Sequence, residues 1–166
     1  IDGTFDDCQR LVKSAFLDRE LSERLNLTSA NSINLSRLVP QSFYYIHSAR
    51  QLPEGVEPVF VIPSGNFGNL TAGLLALQLG LPVKKFLAAT NANDVVPAYL
   101  KSGDYQPRSS TATISNAMDV GAPSNFARMQ ALIGNSWDAM RGKIEGMYYT
   151  DDQTRAAVRE VKSLYD

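Results

Sequence analysis

The segment best suited to chemistry is a turn of small residues at positions 64–69, Ser-Gly-Asn-Phe-Gly-Asn. It follows an apolar run at 58–63, which is typical of a strand buried on both faces, and precedes an Ala/Leu-rich helix predicted over 70–79. The first turn of a helix carries N–H groups without internal partners, and the helix dipole makes that end positive. Glycines allow a ligand close to the backbone. The sequence therefore predicts an anion cup that could hold a phosphate without Lys or Arg.

The spacing of the turn excludes the two commonest phosphate-binding motifs. No Gly-Lys-Ser/Thr ends it, so it is not a P-loop, and Gly65 and Gly68 do not form the G-x-G-x-x-G dinucleotide fingerprint. A plain strand-to-helix turn remains the alternative. In that case Asn66 is only a turn residue and Asn69 only a helix cap.

Strands and helices are predicted to alternate along the chain. Further strands are expected at 83–89 and 111–115. Helices are expected after the N-cap Thr4, with Cys8 on the apolar face, over 32–50 with a kink at Pro40, and over 94–102, 124–133, 136–145 and 151–165. This order predicts a single α/β domain over residues 1–166, with a mostly parallel sheet flanked by helices in three layers.

Ligands of such sheets lie outside the carboxyl ends of the strands, so the segments that follow the strands should meet there. Asn91 and Asn93 follow the second predicted strand and either contact a cofactor or substrate or cap the next helix. Ser32 and Asn34 could reach the same place from the start of the second helix, although an N-cap and a turn residue are favoured for them. Arg37 could bind the phosphate of a substrate, although a solvated helix face is favoured for it.

Composition excludes several classes of function. A net charge of −1 with scattered basic residues gives no field for nucleic acid, and no run of 18 apolar residues suggests a membrane span. One cysteine, Cys8, and one histidine, His47, exclude an internal disulfide and a His/Cys metal cluster by count. A cytoplasmic location is expected.

The stretch Ser-Gly-Asn-Phe-Gly-Asn-Leu-Thr-Ala-Gly at 64–73 resembles the phosphate-binding loop for pyridoxal 5′-phosphate (PLP) of threonine synthases, which are fold type II PLP enzymes. Segments 3–9, 30–37, 88–94 and 115–125 resemble the same family in the same order, so the resemblance covers nearly the whole chain. It implies that the chain is part of the large PLP-binding domain. It also implies that the 5′-phosphate is held by Ser64, Gly65, Asn66, Phe67, Gly68 and Asn69.

The resemblance also implies an activity and its limits. Threonine synthases convert O-phosphohomoserine and water to threonine and phosphate, with the cofactor on a lysine in a Phe-Lys-Asp motif. None of the six lysines has that context, so no catalytic residue is assigned. The chain is expected to be an internal piece that needs N- and C-terminal parts of the same enzyme and is inactive alone. Another fold type II lyase of the dehydratase type, a non-catalytic phosphate-binding module and a purely structural piece are the alternatives.

Overall fold

The computed structural model describes residues 2–31 and 34–165. Its helices and strands follow in chain order as α1 Phe5–Leu17, α2 Arg19–Arg24, α3 Leu38–Ala49, β1 Val59–Pro63, α4 Gly68–Gln78, β2 Lys85–Thr90, α5 Val95–Ser102, α6 Phe126–Leu132, α7 Trp137–Lys143, β3 Ile144–Tyr148 and α8 Asp151–Tyr165. Short 3₁₀ turns lie at Leu35–Arg37 and Asn116–Met118.

The three strands form one parallel sheet in the order β1-β2-β3, so the α/β fold with a parallel sheet is confirmed. In the register, Val59 lies opposite Lys85, and Phe86 lies opposite Ile144. The three carboxyl ends therefore meet at one edge, where β1 runs into the loop at 64–67. This edge is the one at which the candidate residues were expected.

Two element predictions are wrong. Residues 111–115 do not form a strand, because the amides of Thr111 and Thr113 donate to side chains, the carbonyl of Asn93 and the carboxylate of Asp119. The third strand is instead β3, which takes the last residues of the helix predicted over 136–145. Gly146 makes this possible, since a Cβ there would lie 2.7 Å from the Cα of Pro97 in α5.

The sheet packs its core on one face only. Ile62, Phe86, Ala88 and Ile144 join one buried cluster with the apolar residues of α4 and α5. The opposite face is open in the described part of the chain, and Val61 is 64% exposed. The expectation that 58–63 is buried on both faces is therefore wrong here, since the face of β1 with Val59 and Val61 stays exposed in the described part of the chain.

The two helices that precede β1 differ in how well they were predicted. Helix α1 begins after Thr4 as expected, and a reciprocal pair of hydrogen bonds with Asp7 caps it; Cys8 on it is half-buried. The helix predicted over 32–50 begins later, at Leu38. Pro40 thus falls in the first turn, where a backbone N–H has no helical partner, and it does not interrupt the helix.

Candidate functional site

The loop between β1 and α4 leaves a row of backbone donors unused. The amide of Ser64 continues the sheet by donating to Ala89 at 2.8 Å. In the described part of the chain, the amides of Gly65, Phe67 and Gly68 have no acceptor. These unpaired N–H groups lie at the positive end of α4 and can bind an anion.

Phe67 gives the loop its shape. Its backbone is left-handed, with φ 59° and ψ 20°, a conformation that is uncommon for a bulky residue. The ring is buried in the core at 2% exposure. Its carbonyl accepts hydrogen bonds from the amide of Thr71 at 2.9 Å and from the Thr71 hydroxyl at 2.7 Å. Core packing and these two bonds hold the strained turn.

The side chain of Asn69 closes the loop on itself. Its Nδ2 donates to the carbonyl of Pro63 at 2.8 Å, and its Oδ1 accepts from the Ser64 hydroxyl and from the amide of Leu70. The hydroxyl of Tyr45 donates to the Asn69 carbonyl at 2.7 Å. Burial raises the pKa of Tyr45 well above its usual range, so this donor stays protonated. The N-cap of α4 is Phe67, so Asn69 does not play the capping role considered as the alternative.

Residues 115–125 brace the loop from behind. A Cβ on Gly65 would lie 2.7 Å from the Cα of Met118, so only glycine allows this approach. The Oδ1 of Asn66 accepts from the amide and the hydroxyl of Ser124, at 2.7 and 3.0 Å. Residues 115–125 thus contact the loop, as predicted, and the side-chain carbonyl of Asn66 points to this segment.

A cavity of about 320 Å³ opens over the loop. Residues 63–69 line it together with Phe5, Arg37, Gln41 and Met118. Arg37 is the one cationic side chain among the described lining residues, and no carboxylate lines the cavity. The site therefore favours an anion, and Arg37, although exposed, belongs to it rather than to a plain solvated face. Sequence periodicity could not choose between the two roles considered for Arg37, because the position of this side chain depends on where α3 begins.

The four further candidates lie in different places. Asn91 and Asn93 are buried at 4% and 6% exposure, and their side chains bind residues 111–119 rather than line this cavity. The side chain of Asn34 caps the turn before α3 by accepting from the amide of Ser36, and it donates to the carbonyl of Ser29. Ser32 lies outside the described residues.

Other kinds of site find no support in the described residues. Residues 2–31 and 34–165 contain no group of three or more His, Cys, Asp or Glu side chains placed to hold a metal ion. Over the same ranges, none of the helices has the length and apolar character that crossing a membrane requires.

Comparison with known proteins finds close relatives for the chain. No family model matches it. The threonine synthase of Serratia marcescens is 51% identical over 166 residues, which is 99% of this chain and 38% of that protein. The crystal structure of threonine synthase from Escherichia coli superposes with a TM-score of 0.90 at 49% identity, over 99% of this chain and 39% of that one. The PLP-bound threonine synthase of Brucella melitensis gives a TM-score of 0.81 at 34% identity, over 98% of this chain and 40% of that one. The chain thus spans about two fifths of the length of these relatives.

Proposed function

We propose, for a chain that belongs to the threonine synthase family, that residues 64–69 bind the 5′-phosphate of PLP. One observation carries this proposal, namely the unpaired amides of Gly65 and Gly68 at the positive end of α4, inside a cavity with no carboxylate among its described lining residues. A phosphate ester dianion is the cofactor group that such donors suit.

The residues present fit this group in size as well as in charge. The absence of a Cβ at Gly65 lets the loop lie against Met118, and the left-handed Phe67 turns the chain into α4. The hydroxyl of Ser64 donates a hydrogen bond to the side chain of Asn69. These two side chains therefore fix the loop and are not proposed as ligands of the phosphate. Backbone amides are therefore the proposed ligands, with Arg37 adding positive charge across the cavity.

The family implies a lyase in which bound PLP supplies an electron sink. In the complete enzyme the proposed reaction converts O-phosphohomoserine and water to threonine and phosphate. The contribution of this chain is to hold and orient the cofactor through its phosphate. The sequence contains no Phe-Lys-Asp motif, so we propose that the chain alone does not turn substrate over.

We further propose that the chain works within a longer polypeptide whose other parts cover its open apolar surfaces. The exposed face of β1, with Val61, is one such surface. Helix α8 is another, because it contains no buried residue and exposes Val158, Val161 and Leu164 on one side. Apolar patches of this kind usually mark contacts with other protein.

Pyridoxine 5′-phosphate and pyridoxine test the phosphate assignment, because they differ only in the phosphate and neither has an aldehyde that reacts with lysines. Amide chemical shifts of the ¹⁵N-labelled chain are followed during titration with each compound and with inorganic phosphate. The two phosphates should shift the amides of Gly65, Phe67 and Gly68, and pyridoxine should not. Equal shifts with pyridoxine, or no shifts with any of the three, contradict the proposal.

A matched pair of arginine variants tests the part played by charge. Arg37→Gln should weaken the phosphate response, and Arg24→Gln, on exposed α2, should leave it unchanged.

The absence of turnover is tested by incubating the chain with PLP and O-phosphohomoserine. Threonine formation at the rate of a threonine synthase would show that the chain carries a catalytic group that we have not assigned.

A further inference from the structure

The carboxylate of Asp119 is a hydrogen-bonding centre outside the cavity. Its Oδ1 accepts from the Nδ2 of Asn91 at 2.7 Å, from the Nδ2 of Asn93 at 3.3 Å and from the Thr113 hydroxyl at 2.7 Å. Its Oδ2 accepts from the amide of Thr113 at 3.0 Å. Four donors thus converge on one charged acceptor, and bonds of this kind are about twice as strong as those between neutral groups.

The two asparagines tie this centre to the sheet. Asn91 directly follows the last residue of β2, Thr90, and Asn93 lies two residues further on. Asn93 binds Thr111 through two bonds, accepting from its amide at 2.7 Å and donating to its carbonyl at 2.9 Å. The Oδ1 of Asn91 accepts from the amide and the Nδ2 of Asn93, at 3.0 and 2.9 Å. Residues 111–119 are therefore fixed to the rigid end of a central strand.

The residue before Asp119 is the one that touches the phosphate loop. Met118 ends the 3₁₀ turn Asn116–Met118, and its backbone lies so close to Gly65 that a Cβ added there would be 2.7 Å from its Cα and 3.0 Å from both its C and O. A change in the position of Asp119 must therefore move Met118 against Gly65. Backbone cannot rotate away as a side chain can, so the contact transmits the displacement to the loop.

We infer that Asp119 is a positioning residue for the phosphate loop, acting through the backbone of Met118 on Gly65. This inference rests on the proposed function of that loop. It also gives Asn91 and Asn93 a role without direct contact with the cofactor, because their amides supply two of the four donors. A carboxylate suits position 119 better than an amide, since the Nδ2 of an asparagine in the place of Oδ2 would face the amide N–H of Thr113.

Two kinds of variant test the inference. Asp119→Asn keeps the size of the side chain but turns one acceptor into a donor, and Asp152→Asn on exposed α8 is its control. Thr113→Val keeps the shape but loses the hydroxyl that bonds to Asp119, and Thr113→Ser restores the hydroxyl. The last pair keeps the inference testable if Asp119→Asn does not fold.

The measurements are the amide shifts of Gly65 and Met118 in the free chain and the dissociation constant for pyridoxine 5′-phosphate. Asp119→Asn should move both amides and raise the dissociation constant about tenfold, by analogy with the outer-shell partners of metal ligands, whose loss costs about 10–100-fold in affinity. Thr113→Val should change both measurements in the same direction. Asp152→Asn and Thr113→Ser should match the unchanged chain.

The outcomes separate this inference from the proposed function. Wild-type binding and unmoved loop amides in both Asp119→Asn and Thr113→Val would overturn it. Weaker binding with unmoved loop amides would also overturn it, because the effect would not pass through position. If the unchanged chain gives no phosphate response, the proposed function fails, while the shifts of Gly65 and Met118 in the free variants still decide whether Asp119 positions the loop.

Discussion

Replacing Gly65 with alanine is the sharpest test of the site. The added Cβ would lie 2.7 Å from the Cα of Met118, whereas ordinary van der Waals contact begins at 3.4 Å. The loop and the 3₁₀ turn must therefore separate by at least about 0.7 Å, with no side-chain rotation to relieve the clash. Overpacking of this kind costs about 1–3 kcal/mol of the free energy of unfolding.

The same displacement should weaken anion binding. A shift of about 0.7 Å lengthens an N–H···O bond from about 2.9 to about 3.6 Å, at which distance it is no longer a hydrogen bond. Loss of one bond to a charged acceptor is worth about 1.5–3 kcal/mol. The dissociation constant for pyridoxine 5′-phosphate should thus rise about tenfold or more in Gly65→Ala.

Urea denaturation and the amide-shift titration measure the two effects. Gly142→Ala is the matched control, because its added Cβ meets nothing within 4 Å and the residue lies inside α7. That control should gain about 0.5–1 kcal/mol from the better helix propensity of alanine and bind as before. If Gly65→Ala keeps wild-type stability and wild-type affinity, the close approach to Met118 does not shape the loop and our argument fails.

Three further predictions concern the surroundings of the site. Thr71→Val removes the hydroxyl donor to the buried carbonyl of Phe67 and should cost about 1–2 kcal/mol in urea denaturation, whereas Thr71→Ser should cost less. Hydrogen bonds from Thr4 lower the pKa of Asp7 below 3.8, so its stabilisation of α1 is present above that pH and lost as the pH falls through the lowered value. Helicity followed by circular dichroism in acid should show this loss, and Asp7→Asn should abolish it. Burial raises the pKa of Tyr105 to about 12, so its stabilising effect should vanish as the pH rises from 10 to about 12, and Tyr105→Phe should remove that part of the alkaline transition.

Local sequence patterns predicted the two elements on either side of the loop. The predictions that failed concern segments whose structure depends on tertiary contacts. The continuous apolar run and the Ala/Leu-rich stretch are signals carried by the segments themselves, and they form β1 and α4. Residues 111–115 have the β-branched composition of a strand, but the amides of Thr111 and Thr113 bond to the side chains of Asn93, just after β2, and of Asp119. Strand β3 contains Glu145 and Gly146, which are both uncommon in strands, so its sequence is a weak strand signal. The segment forms a strand because it pairs with β2 and packs closely against α5.

Within the site, the sequence predicted the anion cup but left the roles of the amide side chains open. An asparagine side chain can donate and accept hydrogen bonds, so it can bind a ligand or link two segments of the protein. Sequence spacing alone does not distinguish these two roles. In the structure, the side chains of Asn69 and Asn93 link two segments by hydrogen bonds to Pro63 and Thr111, and the side chain of Asn66 bonds to Ser124. The lining position of Arg37 depends on tertiary placement of α3, which has no local signature.

The conformation of Phe67 could not be predicted either, and its cause bears on how the site works. Nothing local favours a left-handed phenylalanine, which is held by the burial of its ring and by Thr71. The contact of Gly65 with Met118 fixes the other side of the turn. All of these contacts lie within the protein and none requires the ligand. The proposed phosphate loop therefore has its shape without a ligand, and the proposed binding of a phosphate need not spend free energy on ordering it.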